Sequence, residues 1–306
     1  MSVSASDVKK LREMTGAGMM ACKEALKSSD GDMDQAVDYL RKKGLAQAQK
    51  KQSRVAAEGT VATLVEGSTG VLAEVNCETD FVGKGEDFQN FATSVANHIV
   101  KNKPDTVETL LEQKMEDGQT VSDAATELTL KCGEKVQVRR FRTVTLEGPG
   151  KIGSYNHGGK IGVLVSVSAD EAVAEKPEFA ELVKDLSMHV AAAAPKFLNA
   201  EDIDEDFKKR EAEIYRSQLI DQGKPENMLD KIIQGKLNKL ATEVCLMDQK
   251  FVKDPDTSVK KLVEQKAKEL GGNITVNTFE KLNLGEGIEK KEDNLAEEVA
   301  KMTGKQ

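Results

Sequence analysis

The chain has 306 residues and carries 44 Lys and Arg against 52 Asp and Glu, which gives a net charge of −8. At roughly 150 residues per domain, this length favours two or more folded units. The acidic balance argues against a protein whose main task is to bind nucleic acid phosphates, because that task needs a clustered positive field. We therefore expect a protein partner and no direct binding to nucleic acid.

The four cysteines, Cys22, Cys77, Cys132 and Cys245, lie far apart in the sequence. They form no C-x-x-C pair, and no histidine stands at metal-ligand spacing, which argues against zinc sites and a disulfide framework. We expect no cofactor and no bound metal. The sequence starts directly in an amphipathic pattern, and no stretch reaches about 18 apolar residues. These features predict a cytoplasmic protein that does not bind membranes.

The beginning of the chain has the start and stop signals of a compact three-helix module. Three helices are predicted: one capped by Ser6 or Asp7 and running through Met14, one over 19–28, and one that Asp32 caps and that ends near Gly44. The glycine-containing run at 15–18 separates the first two. The segment 44–57 lacks apolar periodicity and is interpreted as a linker.

A repeated strand-and-helix pattern marks the middle of the chain. The runs Gly-Val-Leu-Ala-Glu-Val at 70–75 and Gly-Val-Leu-Val-Ser-Val at 162–167 start 92 positions apart. Each follows a hairpin-like partner strand, at 60–66 or 152–155, and precedes a helix with Phe and His ten residues apart. These pairs are Phe88 with His98 and Phe179 with His189. The pattern predicts two copies of one α+β unit, in which an antiparallel sheet packs on a helix.

Two long amphipathic helices are predicted within the second copy, at 201–221 and 227–246, with Gly-Lys-Pro at 223–225 between them. Arms of about 20 residues would each reach roughly 30 Å, as in an antiparallel coiled-coil hairpin. Apolar residues expected on one side of the first arm are Ile203, Phe207, Ile214 and Leu219. Further elements expected downstream are a helix over 259–270, a strand over 274–282 and a helix near 293–302.

Two motifs that suggest chemistry have simpler explanations. Residues 148–153 match G-x-G-x-x-G, but a strand follows where a dinucleotide-binding fold needs a helix N-terminus, so a turn is predicted. Cys77 and His98 suggest a nucleophile and a base, but both repeated histidines lie on apolar helix faces, which favours hydrogen-bonded core residues. No enzyme activity is predicted. A Cys77-dependent enzyme is kept as an alternative, which predicts that Cys77→Ser abolishes activity.

The run Thr79-Asp80-Phe81-Val82 follows a predicted strand and precedes a Gly-Lys-Gly break at 83–85. One interpretation places a carboxylate and an aromatic ring together on an exposed loop tip. The other tucks Phe81 under its own sheet and makes Asp80 a helix cap, because aromatic residues are usually buried. The residues alone leave both open.

Two segments resemble the signature motifs of the elongation factor Ts family. They are Leu-Arg-x-x-Thr-Gly-Ala-Gly-Met-Met-x-Cys-Lys-x-Ala-Leu at 11–26 and Glu-Val-Asn-Cys-Glu-Thr-Asp-Phe-Val at 74–82. The resemblance continues through shorter motifs at 155–158, 188–192, 223–225 and 285–290, in order along essentially the whole chain. Members of this family are guanine-nucleotide exchange factors for the translation GTPase elongation factor Tu.

The resemblance implies an α+β architecture that coincides with the division made from the residues. The implied parts are a ubiquitin-associated-like (UBA-like) head and linker (1–54), core subdomain N (55–147), core subdomain C (148–200 and 241–287), a coiled-coil hairpin inserted in the latter (201–240) and a C-terminal helical module (288–306).

The resemblance also implies roles for particular residues. Thr79, Asp80, Phe81 and Val82 would enter the G domain of elongation factor Tu. There Phe81 would wedge between helices, and Asp80 would help to displace the groups that hold Mg²⁺ near the phosphates. Further implied contacts with the partner are Met19, Met20, Lys23, Gly133 and His157. Simpler roles stay open for two of these, because Met20 could belong to a core and Lys23 could be a solvated surface charge.

A second class of function is a non-exchanging adaptor or scaffold that uses the UBA-like head and the helical hairpin. Such an adaptor would not bind most tightly to a nucleotide-free GTPase. A homodimer through the hairpin or the core is a further possibility, because helical seams can pair with a second chain.

Overall fold

The computed structural model describes residues 4–15, 17–51 and 53–289, except for the side chains of residues 41 and 44–50. The protein has an α+β fold that divides into two compact units. The described parts of residues 1–62, 73–141 and 283–306 form the first unit, and residues 63–72 and 142–282 form the second. Within the described residues, no helix is long and apolar enough to cross a membrane.

Three helices begin the first unit: α1 (Ala5–Thr15), α2 (Met19–Ser28) and α3 (Met33–Lys51). Their apolar faces enclose a small core that includes Leu11, Cys22 and Leu26. The predicted bounds of α2 are confirmed. The predicted cap of α3 is also confirmed, because the Gln35 N–H donates to Oδ1 of Asp32 at 2.9 Å.

Two predictions about these helices are wrong. Helix α1 starts earlier than expected, because the hydroxyl of Ser4, rather than Ser6 or Asp7, accepts from the Asp7 N–H at 3.1 Å. Helix α3 continues through Lys51, so more than half of the expected linker 44–57 is helical. Residues 45–51 are Leu, Ala, Gln and Lys, which are strong helix formers even without an apolar stripe.

A three-stranded sheet follows, with the order β1-β2-β3. Its strands are β1 (Glu58–Glu66), β2 (Thr69–Cys77) and β3 (Gln137–Thr145), and the last of these was not predicted. Between β2 and β3 lie α4 (Asp80–Gly83), α5 (Glu86–Asn102), α6 (Val107–Glu112) and α7 (Val121–Cys132). Every residue of β2 is buried, so the strand that leads into Thr79 is held along its whole length.

The second unit contains a similar sheet, with the order β4-β5-β8. Its elements are β4 (Gly150–His157), β5 (Ile161–Ala169), α8 (Glu171–Ala174), α9 (Pro177–Ala193), α10 (Glu205–Asp221), α11 (Glu226–Val244), β6 (Lys250–Phe251), β7 (Asp254–Ser258), α12 (Val259–Leu270) and β8 (Ile274–Asn283). Strands β4 and β5 pair antiparallel, with Gly153 opposite Val165. The turn predicted for the G-x-G-x-x-G match is confirmed only as a bend at 148–149, because residues 150–153 already belong to β4; a strand and not a helix N-terminus follows the bend.

Internal details support the duplicated α+β core. Helices α5 and α9 both have 17 residues, and each ends at a left-handed residue, Lys103 with φ 46° or Ala194 with φ 48°. Each follows a four-residue helix, α4 or α8. The two histidines also have matching partners, because Nε2 of His98 lies 2.9 Å from Gln113 Oε1 and Nε2 of His189 lies 3.0 Å from Gln249 Oε1. Both are hydrogen-bonded core residues, as predicted.

Helices α10 and α11 form an antiparallel pair joined by a short turn. Arg216 of α10 pairs with Asp230 of α11, and Leu219 packs with Leu229. Ile214 was expected on the inner side but is 48% exposed, because the buried stripe of α10 passes through Tyr215 instead. The coiled-coil character of the pair stays a prediction. The expected C-terminal module lies, from residue 290 onward, outside the described residues.

Candidate partner-binding site

The Thr79–Val82 segment is a capped helical turn rather than an open loop tip. Thr79 lies two residues after the end of β2 in extended conformation, and its Oγ1 accepts from the Val82 N–H at 3.3 Å. Thr79, and not Asp80, is therefore the cap of α4. The turn ends at the buried Gly83, whose carbonyl accepts from the side chain of Gln89 at 2.5 Å.

Phe81 projects from this turn into solvent. Its side chain is 85% exposed, the largest value among the exposed large apolar residues of the described chain. The alternative in which Phe81 tucks under its sheet is therefore wrong. Asp80 is also exposed, whereas Val82 is half-buried. A carboxylate and an aromatic ring thus stand side by side on the surface, and aromatic side chains are enriched among the residues that dominate binding energy.

Asp80 is paired with Lys84 one helical turn later. The Nζ of Lys84 lies 2.6 Å from Oδ2 of Asp80. The hydrogen bond and the charge of Asp80 raise the pKa of Lys84 above its ordinary value. Both side chains are mostly exposed, so water and salt screen the pair, and it can open without a large energetic cost.

Two carboxylates that the sequence reasoning missed anchor this turn. Glu134 accepts the backbone N–H of Thr79 at 2.9 Å and its hydroxyl at 2.7 Å. Glu78 accepts the backbone N–H of Lys135 at 2.7 Å. The partners are more than fifty residues apart in the chain, so no local spacing signals them.

The predicted contact residue Gly133 belongs to the same neighbourhood. It ends α7 in the left-handed conformation, with φ 78°, and its N–H donates to the carbonyl of Thr129 at 3.0 Å. The Nζ of Lys51 donates to the Gly133 carbonyl. Because Glu134 is the next residue, the structure brings the Gly133 loop and the Thr79 turn together.

The α2 residues form an exposed apolar surface. Met19 is 57% exposed and Met20 is 76% exposed, so the alternative that Met20 belongs to a core is wrong. Lys23 is exposed, and its interpretation as a solvated charge stays open. A third methionine, Met14, was missed and is 56% exposed. Flexible methionine side chains suit surfaces that adapt to a partner.

A cleft of about 490 Å³ lies beside this surface. Met20 lines it from α2, Val37 and Leu40 from α3, and Glu127 and Leu130 from α7. The methionine surface and the α7 helix that leads to Gly133 therefore border one concave region within the first unit.

His157 belongs to the second compact unit, and the other predicted contacts belong to the first. It is the exposed last residue of β4. Its ring stacks on Tyr155 with centroids 6.2 Å apart, and its Nδ1 lies 3.2 Å from the tyrosine hydroxyl. In the adjacent turn, the side chain of Asn156 accepts from the Gly159 N–H at 2.7 Å. His157 is thus presented in a defined orientation at the end of a hairpin.

The environment of Cys77 disfavours nucleophilic catalysis. Burial raises the pKa of this thiol to about 12, and the nearby Glu134 carboxylate adds to the shift. A reactive cysteine needs a lowered pKa, because the thiolate is the nucleophile. His98 is engaged by Gln113 and Asn102. Within the described residues, no group of three or more His, Cys, Asp or Glu could hold a metal ion.

Comparison with known proteins identifies the family. The model of the family described as elongation factor TS matches residues 78–286. The chain is 49% identical to elongation factor Ts of Clostridium perfringens (strain SM101 / Type A) over 99% of this chain and 100% of that protein. It is 47% identical to elongation factor Ts of Trichlorobacter lovleyi, with 99% of each chain covered. The chain therefore belongs to the elongation factor Ts family and is a translation elongation factor.

Proposed function

We propose that this protein is a guanine-nucleotide exchange factor that acts in the bacterial cytoplasm. It binds elongation factor Tu in its GDP form, promotes the release of GDP and allows GTP to take its place. The observation that carries this proposal is the 85% exposed Phe81 beside Asp80, on an anchored turn, in a member of the elongation factor Ts family.

Phe81 acts as the wedge. A large aromatic side chain that is exposed in the free protein gains its hydrophobic stabilisation only when it enters a pocket of a partner. Because the turn is already anchored by Thr79 and Glu134, little conformational entropy is lost when Phe81 docks. The proposed pocket lies between helices of the GTPase near its nucleotide site.

Asp80 acts on the Mg²⁺ and phosphate site of the partner. In a GTPase the metal ion neutralises much of the charge of the diphosphate, and outer groups keep the metal's ligands in place. A carboxylate that enters beside the wedge competes for those outer groups. The metal then binds less well, and GDP loses part of the charge neutralisation that retains it.

Exchange follows from linked binding equilibria. If the factor prefers the nucleotide-free GTPase, it weakens nucleotide binding, and nucleotide weakens the binding of the factor by the same ratio. This process makes and breaks no covalent bond in the factor. The chain is therefore proposed to act without enzymatic chemistry and without a cofactor of its own.

The remaining predicted contacts would extend the interface. Met19, Met20 and Lys23 present the surface of α2, and Gly133 lies beside the Thr79 turn. His157 would contribute from the second unit. These residues are proposed to supply affinity and orientation, whereas Asp80 and Phe81 supply the displacement of nucleotide.

The proposal is tested by following the release of a fluorescent GDP analogue from elongation factor Tu. The wild-type chain should accelerate release, and the Asp80→Ala/Phe81→Ala double variant should accelerate it far less. No acceleration by the wild-type chain, or full acceleration by the double variant, would reject the proposal. A non-exchanging adaptor is distinguished by binding, because only an exchange factor binds the nucleotide-free GTPase more tightly than the GDP form.

A further inference from the structure

Two carboxylates join the Thr79 turn to the loop after α7, and they do so in opposite directions. Glu134 of the loop accepts two hydrogen bonds from Thr79, one from its N–H at 2.9 Å and one from its hydroxyl at 2.7 Å. Glu78, beside the turn, accepts from the N–H of Lys135 in the loop at 2.7 Å. We name this arrangement, made by Glu78, Thr79, Glu134 and Lys135, the carboxylate clasp.

The clasp fixes the residue that precedes the proposed wedge. Hydrogen bonds to a carboxylate are shorter and stronger than neutral ones, and two of them on one residue also define its orientation. Thr79 is the cap of α4, which has only four residues and cannot form a stable helix alone. The direction of the Phe81 ring therefore depends on contacts outside the turn, and Glu134 supplies two of them.

Positive groups surround the clasp on the side of α3. Arg54 lies 3.2 Å from the Glu78 carboxylate, and the side chain of Lys135 donates to the Arg54 carbonyl at 3.2 Å. Lys51 donates to the carbonyl of Gly133, which precedes Glu134. The clasp therefore connects the turn to the Gly133 loop and to the segment after α3, and Arg54 balances the charge of the Glu78 carboxylate.

We propose that Glu134 is a positioning residue for nucleotide exchange, which orients Asp80 and Phe81 through the backbone of Thr79 before the partner binds. This inference rests on the proposed function. A turn that is held in its binding conformation loses less entropy on docking than a mobile one. Loss of Glu134 therefore weakens the action of Phe81 without removing any side chain of the wedge.

The first test measures the mobility of the wedge position directly. The chain contains no tryptophan, so Phe81→Trp introduces a single indole at an exposed site. In this background, Glu134→Ala should lower the fluorescence anisotropy of the indole in the free protein. The matched control is Glu112→Ala, which removes an exposed carboxylate on α6 and should leave the anisotropy unchanged. Equal anisotropy in all three proteins would contradict the inference.

The second test uses the rate of GDP release from elongation factor Tu. Glu134→Ala should lower the rate at subsaturating factor about fivefold, because the turn must then be ordered as the partner binds. In the Asp80→Ala/Phe81→Ala background, the same substitution should have no further effect on the residual rate, because Glu134 acts through these two side chains. An equal loss in both backgrounds would show a general structural role and overturn the inference.

Control measurements separate the possible failures. Circular dichroism and urea unfolding show whether Glu134→Ala is folded, and Glu134→Gln, which keeps one carbonyl oxygen as an acceptor, should retain an intermediate rate. If the wild-type chain accelerates release and Glu134→Ala is equally active, the positioning role is wrong while the proposed function stands. If the wild-type chain does not accelerate release, the proposed function itself is wrong.

Discussion

Lys84 holds the carboxylate of Asp80, with Nζ 2.6 Å from Oδ2, in the free protein. The group proposed to act on the metal site of the partner is thus paired before binding. The pair spans four residues on an exposed turn, so it opens at little cost in water. Under the proposed function, the Asp80–Lys84 pair opens when Asp80 enters the nucleotide site of the partner.

Replacement of Lys84 should therefore leave folding and exchange nearly intact. Lys84→Gln removes a screened surface ion pair, so the urea midpoint should barely move, and GDP release should stay within about threefold of wild type. Urea unfolding and release of a fluorescent GDP analogue measure the two quantities. A much larger loss of release would show that Lys84 itself contacts the partner.

Substitution of Glu74 should destabilise the protein more than substitution of most other charged residues of the first unit. Its carboxylate is fully buried and contacts Arg139 at 3.0 Å, Arg140 at 2.5 Å and the Gly285 N–H at 2.8 Å. Burial by itself raises the pKa of Glu74, but the Gly285 N–H and the two guanidinium groups more than offset it and lower the pKa. Glu74→Gln should reduce the free energy of unfolding by roughly 3 kcal/mol, because it leaves two arginines without their buried partner.

The contribution of Glu74 to the free energy of unfolding should depend on pH in a defined direction. Because the pKa of Glu74 is lowered by folding, its contribution is present above the ordinary pKa of 4.5 and is lost as the pH falls through the folded value. Between pH 7 and pH 4, the free energy of unfolding measured with urea should therefore fall less for Glu74→Gln than for wild type. The exposed Glu108 provides the control, and equal effects of Glu74→Gln and Glu108→Gln would contradict this account.

Cys77 should resist alkylation in the folded protein. Burial raises its pKa to about 12, so almost no thiolate exists at pH 8. Cys132 is half-buried and should react first of the two, although burial also raises its pKa. Mass spectrometry after brief treatment with iodoacetamide locates the modified residue. Rapid labelling of Cys77 under native conditions would show that the turn above it opens readily.

The raised pKa of Cys77 also makes the free energy of unfolding depend on pH in the alkaline range. A thiol whose pKa is raised by folding stabilises the protein fully below its unfolded value, and this contribution is lost as the pH rises from about 9 through about 12. Cys77→Ser removes the titrating thiol. Its free energy of unfolding should therefore fall less between pH 8 and pH 10.5 than that of wild type.

Local signals in the sequence predicted many of the elements. The bounds of α2 and α12 are those expected, because glycine, a capping serine and an amphipathic stripe mark their ends. The end of α3 was missed because helix propensity continued beyond the apolar pattern. The assigned domain boundaries stay predictions.

The residues of the candidate site were likewise predicted only in part. Asp80 and Phe81 were found through a contiguous motif, and the structure decided between exposed and buried positions for the ring. Glu134 and the partners of Glu74 were missed, because their contacts join segments 55 to 211 residues apart. Sequence spacing along one element carries no information about such contacts until the fold brings the segments together.

Under the proposed function, the exposed ring of Phe81 drives the release of GDP from elongation factor Tu. The most direct measurement compares the release rate with Phe81→Ala and with Ile220→Ala, which truncates another exposed apolar side chain, 57% exposed on α10. Phe81→Ala should slow factor-dependent release about 30-fold, as expected for a binding hot spot, without changing the urea midpoint. With Ile220→Ala, the rate of GDP release from elongation factor Tu should equal that with the wild-type factor. Wild-type release rates with Phe81→Ala would contradict the account.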